Sequence, residues 1–179
     1  MLNNVRQSLR SIRLRGAATQ FIGLGIIVSM ALIMWQLLVL VTGSKYPVVV
    51  VVSGSMEPGI QRGDVLFLIT VRNRPIRSGD IVVFKIEGKD IPIVHRVIKV
   101  HRQHDSNTFS LLTKGDANLW DDSDGIYADG QLWLEDHHII GRVIGYLPYF
   151  GWATIIMGEK PLIKYLLLGG LSLLAVASH

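Results

Sequence analysis

The stretch V-V-V-V-V-S-G-S-M-E-P, from Val48 to Pro58, decides the fold. Five consecutive valines, each branched at Cβ, suit a buried strand far better than a helix. The run stops at Ser53-Gly54-Ser55, and Pro58 rules out a continuing central strand. The chain therefore leaves a strand and turns sharply, setting two hydroxyls within three residues at the strand's end. A serine on a tight turn held by a rigid strand is a suitable mount for a nucleophile, because its Oγ faces a cleft without backbone adjustment. Ser and Gly are also the ordinary residues of a strand-to-turn junction, and this stretch alone favours that plainer reading.

Upstream, no charged residue occurs between Arg15 and Lys45. The core of that stretch, Phe21 to Val41, is long enough to cross a bilayer as a helix. Backbone groups in lipid must be satisfied internally, which leaves helix as the reasonable state. Arg6, Arg10, Arg13 and Arg15 precede it, whereas the first acidic residue is Glu57. By the positive-inside rule the N-terminus is cytoplasmic and everything after Thr42 is translocated. The apolar run exceeds a secretory h-region and no A-x-A site follows it, so an uncleaved anchor is expected.

Downstream, the pattern changes to period two and short apolar runs. Val65–Ile69, Ile81–Ile86, Ile91–Val100, Phe109–Thr113 and Ile139–Gly145 read as strands. Gly63-Asp64, Ser78-Gly79-Asp80 and Glu87-Gly88-Lys89-Asp90 read as turns, and the acidic, Gly-containing segment Asp116–Gly130 as a loop. R-G-D-V-L-F at 62–67 and S-G-D-I-V-V-F at 78–84 form an imperfect repeat, which two similar turn–strand units produce without any function. The expected fold class is mainly β: one compact β-domain on a single-pass membrane anchor, followed by an apolar C-terminal helix. The expected boundaries are 1–15 for the basic cytoplasmic N-terminus, 16–44 for the transmembrane helix and 45–160 for the β-rich domain. Residues 161–179 form the apolar helix, which is short for a span and fits an interfacial, membrane-associated position, with Lys160 and Lys164 near headgroups.

Composition narrows the function. A hydrophobic share of 49% in 179 residues points to membrane contact. The net charge of +4 is carried by the four N-terminal arginines, so the body is close to neutral and no nucleic-acid footprint is expected. The absence of cysteine excludes disulfides and thiolate metal sites.

Of six histidines, His95 is unusual in sitting inside an apolar strand, I-P-I-V-H-R-V-I. Alternation puts it on one face with Ile93 and Val97, opposite Val94, Arg96 and Ile98. A lone strand histidine is most often a core residue with one hydrogen bond. The functional alternative is a general base that takes a serine proton, its far ring nitrogen fixed by a carboxylate. Asp116, Asp121, Asp122 and Asp124 of the acidic loop are the available partners. No metal or other cofactor is expected. His101, His104 and Asp105 sit at a strand end and turn, and adjacent His137 and His138 diverge if they lie on a strand. Asp122-Ser123-Asp124-Gly125 fails the calcium-loop pattern, since Trp120 and Gln131 would fill its first and twelfth positions.

S-G-S-M-E-P (53–58), R-G-D-V-L-F (62–67), S-G-D-I-V-V-F (78–84), I-P-I-V-H-R-V (91–97) and K-G-D-A-N (114–118) occur in order behind the anchor. Together they resemble the boxes of type I signal peptidases, over most of the chain up to about residue 145. Bacterial members usually carry Lys-Arg where this chain has His95-Arg96, and His here resembles the Sec11-type catalytic subunit of the endoplasmic-reticulum signal peptidase complex and its archaeal relatives. The chain's length, I-P-I-V-H-R-V-I-K-V and the short apolar tail favour the eukaryotic form. The resemblance implies a membrane-bound serine endopeptidase that removes signal peptides from pre-proteins on the lumenal side. It implies Ser55 as nucleophile, His95 as general base and Asp122, six residues after Asp116, as the acidic member. Ser53 matches a hydroxyl that joins the Ser55 N–H in the oxyanion hole, Asp116 a supporting acid, and Arg96 is assigned to structure. Ala117 departs from the family's usual G-D-N-N, while Asn118 matches. The implied partners are signal-peptide-bearing pre-proteins, other membrane subunits of a complex and lipid. The rival reading is a non-catalytic, membrane-anchored β-module acting as a scaffold subunit. The cleft beside Ser55 is expected to be lined by valine, isoleucine and leucine, with no charged group.

Overall fold

The computed structural model describes residues 2–71, 75–89, 91–102 and 109–177, with side-chain surroundings for these outside 2–15, 17 and 171–177. Asp90, His104, Asp105 and His179 lie outside the described residues, as do the side chains of Arg6, Arg10, Arg13 and Arg15. The chain divides into two units, Met1–Val41 and Thr42–His179.

The first unit is helix α1, Leu2–Thr42. Its segment Ala18–Thr42, 25 residues of mean hydropathy 2.5, is long and apolar enough to cross a membrane. Apolar side chains such as Phe21, Ile27, Ile33 and Leu40 are exposed all round it, as on a helix that could lie in a bilayer.

The second unit is built on one antiparallel sheet of seven strands: β1 Val48–Val50, β2 Val65–Ile69, β3 Ile81–Phe84, β4 Ile93–Arg102, β5 Phe109–Lys114, β6 Leu134–Glu135 and β7 Ile139–Leu147. Their spatial order is β1-β2-β7-β3-β4-β5-β6, so the late strand β7 is inserted between β2 and β3. The expected strands all form, with ends shifted by a few residues. The valine run forms a strand for only three of its five residues. Val51 instead bonds irregularly, its N–H to the Asp64 carbonyl at 2.9 Å and its carbonyl to the Gly63 N–H at 2.8 Å. Between β5 and β6, Asp116–Gly130 carries no helix or strand, as its composition predicts.

Both faces of the central strands are buried. Val82 and Phe84 of β3 join Val97, Leu111, Tyr127 and Leu134 in one core, whereas the intervening Val83 joins Val51, Met56, Ile60, Leu66 and Leu68 in another. Burying such side chains contributes about 1.5–3 kcal/mol each. Cross-strand partners share a face, so the Val82↔His95 pair turns His95 towards the first core, and Val83↔Val94 turns Val94 towards the second. The alternation expected around His95 therefore holds, until a bulge between Val97 and Lys99 resets its phase.

The sequence repeat reproduces one turn twice. The Asp64 carboxylate accepts the Gln61 N–H and the Asp80 carboxylate the Arg77 N–H, each at 2.9 Å. Gly63 and Gly79 both have φ near +94°, a region that favours glycine. The first turn is the more constrained, because the Trp152 ring packs where a Gly63 side chain would stand. Two short helices follow β7. Trp152–Glu159 (α2) is not evident in the sequence pattern, and Pro161–Ala177 (α3) starts with proline at its first position, where a missing N–H costs nothing.

Candidate active site

The turn after β1 is fastened from beneath. Met56, next to Ser55, is 1% exposed within the second core, so the backbone of the turn cannot move without disturbing that core. The Ser55 carbonyl accepts the Ala117 N–H at 2.9 Å, which ties this turn to K-G-D-A-N. Because that bond is made by the backbone, alanine at 117 leaves it intact. A Cβ on Gly115 would lie 2.7 Å from the Ser55 carbonyl oxygen, so only glycine allows the two segments this approach.

Ser53, Ser55, His95 and Asn118 line one cleft of about 940 Å³, walled by Val49–Val52, Met56, Val83, Ile91–Val94 and Ile126. The Ser53 and Ser55 hydroxyl oxygens are 3.4 Å apart. The walls are apolar as expected, with two corrections. Among the described residues no leucine lines the cleft, and a charged group does: Lys89 lies along it and donates to the Ile126 carbonyl at 2.7 Å. Its contribution depends on how the β3–β4 turn meets the acidic loop, which alternation along a strand does not encode.

His95 sits between the cleft and the protein interior, 2% exposed. Its Nδ1 is 2.6 Å from Oδ2 of Asp122, which is fully buried. A carboxylate only accepts, so Nδ1 carries a proton, and in the neutral imidazole the lone pair is on Nε2. The same Oδ2 accepts the Thr113 hydroxyl at 2.5 Å, and the Phe84 ring stands edge-on to the imidazole at 6.2 Å. The arrangement can do acid–base chemistry at the cleft wall: a neutral imidazole there, backed by a fixed negative charge, takes a proton and is stabilised when it does.

The other acids of the loop are placed differently. Asp116 does not line the cleft. It forms a two-pronged pair with Arg96, at 2.8 and 2.6 Å, and Arg96 also donates to the Gly79 carbonyl at 3.0 Å. The Arg96 guanidinium holds the Asp116 carboxyl below the usual carboxylate range, and hydrogen bonding to Asp116 raises Arg96 in turn. Asp121 is half-buried and accepts from the Ser123 N–H at 3.1 Å and its hydroxyl at 2.5 Å, while Asp124 is exposed.

Among the described residues no cluster of three or more His, Cys, Asp or Glu has metal-binding geometry. His101 lies against Trp133, ring centroids 5.8 Å apart. His137 and His138 do not diverge. They lie on a 3-10 turn, Asp136–His138, with ring centroids 3.9 Å apart. Sequence reading missed Thr113, Tyr127 and Lys89. The first two carried a signal only in hindsight of register, since Thr113 stands opposite Val97, which shares the face of His95.

A family model described as Peptidase S24-like matches residues 23–144. The chain is 54% identical to the signal peptidase complex catalytic subunit SEC11C of Canis lupus familiaris, over 89% of this chain and 82% of the relative. It is 53% identical to the human SEC11C protein over the same shares. It is 46% identical to the signal peptidase complex catalytic subunit sec11 of Dictyostelium discoideum, over 90% of this chain and 89% of that one. With the serine-bearing cleft and its buried imidazole–carboxylate pair already in place, these likenesses mean that the chain belongs to the Peptidase S24-like family, among the catalytic subunits of signal peptidase complexes.

Proposed function

We propose that the chain is a membrane-bound serine endopeptidase that cleaves signal peptides from pre-proteins, with Ser55, His95 and Asp122 as its catalytic set. The observation that carries this reading is the buried His95–Asp122 pair, 2.6 Å apart, behind a cleft that Ser55 lines. Ser55 Oγ attacks the scissile carbonyl carbon while its proton passes to His95 Nε2. The tetrahedral oxyanion is received by the Ser55 N–H and the Ser53 hydroxyl. Collapse breaks the C–N bond, and Nε2 returns the proton to the departing amine of the mature chain. Water, deprotonated by His95, then attacks the acyl-enzyme, releasing the signal peptide as a carboxylic acid and restoring Ser55. Asp122 keeps its charge throughout and holds the imidazole in the tautomer that presents Nε2. Asp116 supports the site from outside it, by steadying the loop that grips the Ser55 carbonyl.

The chain works in the endoplasmic-reticulum membrane as one subunit of a complex. Its N-terminus is cytoplasmic and its β-domain lumenal, an orientation supported by the four arginines ahead of the apolar helix. The C-terminal helix, apolar through Leu166-Leu167-Leu168, lies at the lipid interface. The test compares pre-protein processing by complexes carrying wild-type chain or Ser55→Ala at equal abundance. Loss of cleavage with an intact complex is expected. Wild-type processing by Ser55→Ala would refute the assignment.

A further inference from the structure

We propose that Thr113 and Tyr127 are positioning residues that lock the Asp122 carboxylate in the one orientation that serves His95. The inference rests on the reading of His95 as the general base and goes beyond it, to what holds the base's partner in place.

Thr113 and Asp122 are fully buried and Tyr127 nearly so, which leaves water little part in their hydrogen bonding. Thr113 belongs to β5, opposite Val97 of β4, and so stands on the His95 face of the sheet. Its hydroxyl lies 2.5 Å from Asp122 Oδ2 and 2.8 Å from the Tyr127 hydroxyl, and its backbone N–H donates to that same phenol oxygen at 2.9 Å. Elementary donor counting then fixes every proton. A carboxylate only accepts, so the single hydroxyl proton of Thr113 points at Oδ2. The Tyr127 hydroxyl must therefore donate to Thr113 Oγ1, while its oxygen takes the Thr113 N–H. The result is a one-way chain: Thr113 N–H to Tyr127, Tyr127 O–H to Thr113, Thr113 O–H to Asp122. Each bond polarises the next in a water-poor interior. Burial pushes the Tyr127 phenol up to about 12, so it remains a neutral donor throughout the physiological range.

The convergence of donors distinguishes this from ordinary mutual satisfaction of two buried hydroxyls. His95 Nδ1–H and Thr113 O–H both end on Oδ2, while the buried Oδ1 has no hydrogen-bond partner among the described residues. The Asp122 N–H bonded to the Thr113 carbonyl at 2.9 Å holds the backbone, while the side-chain hydrogen bonds that orient the carboxylate among the described residues both end on Oδ2. Without the threonine hydroxyl, the bond from His95 is the one side-chain hydrogen bond left to the Asp122 carboxylate among the described residues, and the imidazole loses a fixed reference for Nε2.

The test uses the assembled complex with variant catalytic chains and a pre-protein substrate, with rates normalised to folded complex measured by size exclusion. Thr113→Val keeps the shape and removes the hydroxyl. It is expected to lower kcat on the order of tenfold or more, with KM changed by less than about twofold, as for a misplaced catalytic group. Thr113→Ser restores the donor and should recover most of kcat, which a purely structural role does not require. Tyr127→Phe should fall between them, because Thr113 keeps its bond to Asp122 but loses the proton that orients it. A Thr113→Val enzyme with wild-type kcat, a loss confined to KM, or a Thr113→Ser enzyme as slow as the valine variant overturns the proposal. If Thr113→Val does not assemble, Tyr127→Phe decides, and a wild-type kcat there overturns it as well. Ser55→Ala and His95→Ala run in parallel keep the two readings apart. If they retain activity, the parent assignment falls and takes this inference with it; if they are inactive while Thr113→Val is normal, only this inference falls.

Discussion

His95 and Arg96 are neighbours on β4, and each holds an aspartate from the segment that follows β5. The two pairs differ in almost everything else. His95–Asp122 is buried on both sides, whereas in Arg96–Asp116 the two side chains are 39% and 24% exposed. Burying an imidazole–carboxylate pair carries a desolvation cost that a pair of apolar side chains would not have, so such a pair is poor evidence of stabilisation and good evidence of chemistry. The guanidinium fork is the reverse. Its geometry is bidentate, part of its charge remains in water, and its output is a fixed loop. Adjacent residues on a strand point to opposite faces, so two consecutive positions separate reactivity from scaffolding.

The sharpest way to break this contrast is to remove the buried pair or the serine in front of it. Ser55→Ala, His95→Ala and Asp122→Asn should each reduce pre-protein cleavage on the order of a thousandfold or more. Combining Ser55→Ala with His95→Ala should add little, because the groups act as a unit. Additive losses in that double variant would argue against a shared role. His95→Lys should also be nearly inactive at neutral pH, since the Asp122 carboxylate would hold the new amine charged. Robust cleavage by that variant would mean that Asp122 does not orient the base.

Breaking the exposed pair should cost stability first. Arg96→Ala and Asp116→Asn remove the same fork, so each should destabilise the β-domain by about 1 kcal/mol, and the double variant by scarcely more. Thermal unfolding of the three variants provides the measurement. The pH dependence has a definite sign. The Asp116 carboxyl is held low in the folded state, so the fork's contribution is complete above the ordinary carboxylate range and disappears as pH falls through the lowered value. The gap in melting temperature between wild type and Asp116→Asn should therefore be constant near neutrality and close in strong acid. The smallest effects belong to the acids flanking Asp122. Asp121→Asn should loosen only the turn to Ser123, and exposed Asp124→Asn should be silent in both cleavage and melting. An inactive Asp121→Asn enzyme would shift the catalytic register by one residue.

Much of this was legible in the sequence, for identifiable reasons. Short apolar or alternating runs bounded by turn residues marked β2, β3, β4, β5 and β7, because each is a local pattern. The valine run misled at its end, since Val51 is recruited by the 61–64 turn instead of a neighbouring strand. β6 has two residues and no periodicity to detect, and α2 is hidden in a short apolar segment whose helical state is set by packing. The serine and histidine stood out by position. Asp122 did not, because five aspartates crowd one loop and only family spacing separated them. The pairing Val97↔Thr113 that carries Thr113 to Asp122 depends on strand register past a bulge, and no single stretch of sequence contains that information.

The burial of Met56 has a further consequence. The residue after the proposed nucleophile packs in the same core as Leu66, Leu68 and Val83, so opening of this turn is expected to require disruption of that core. Loops that flex by themselves lose function well below the temperature at which the fold melts. Here heat inactivation and loss of tertiary structure should share one midpoint, and the amides of Ile60 and Ala117, bonded to Met56 and Ser55, should exchange with solvent only as fast as the whole domain unfolds.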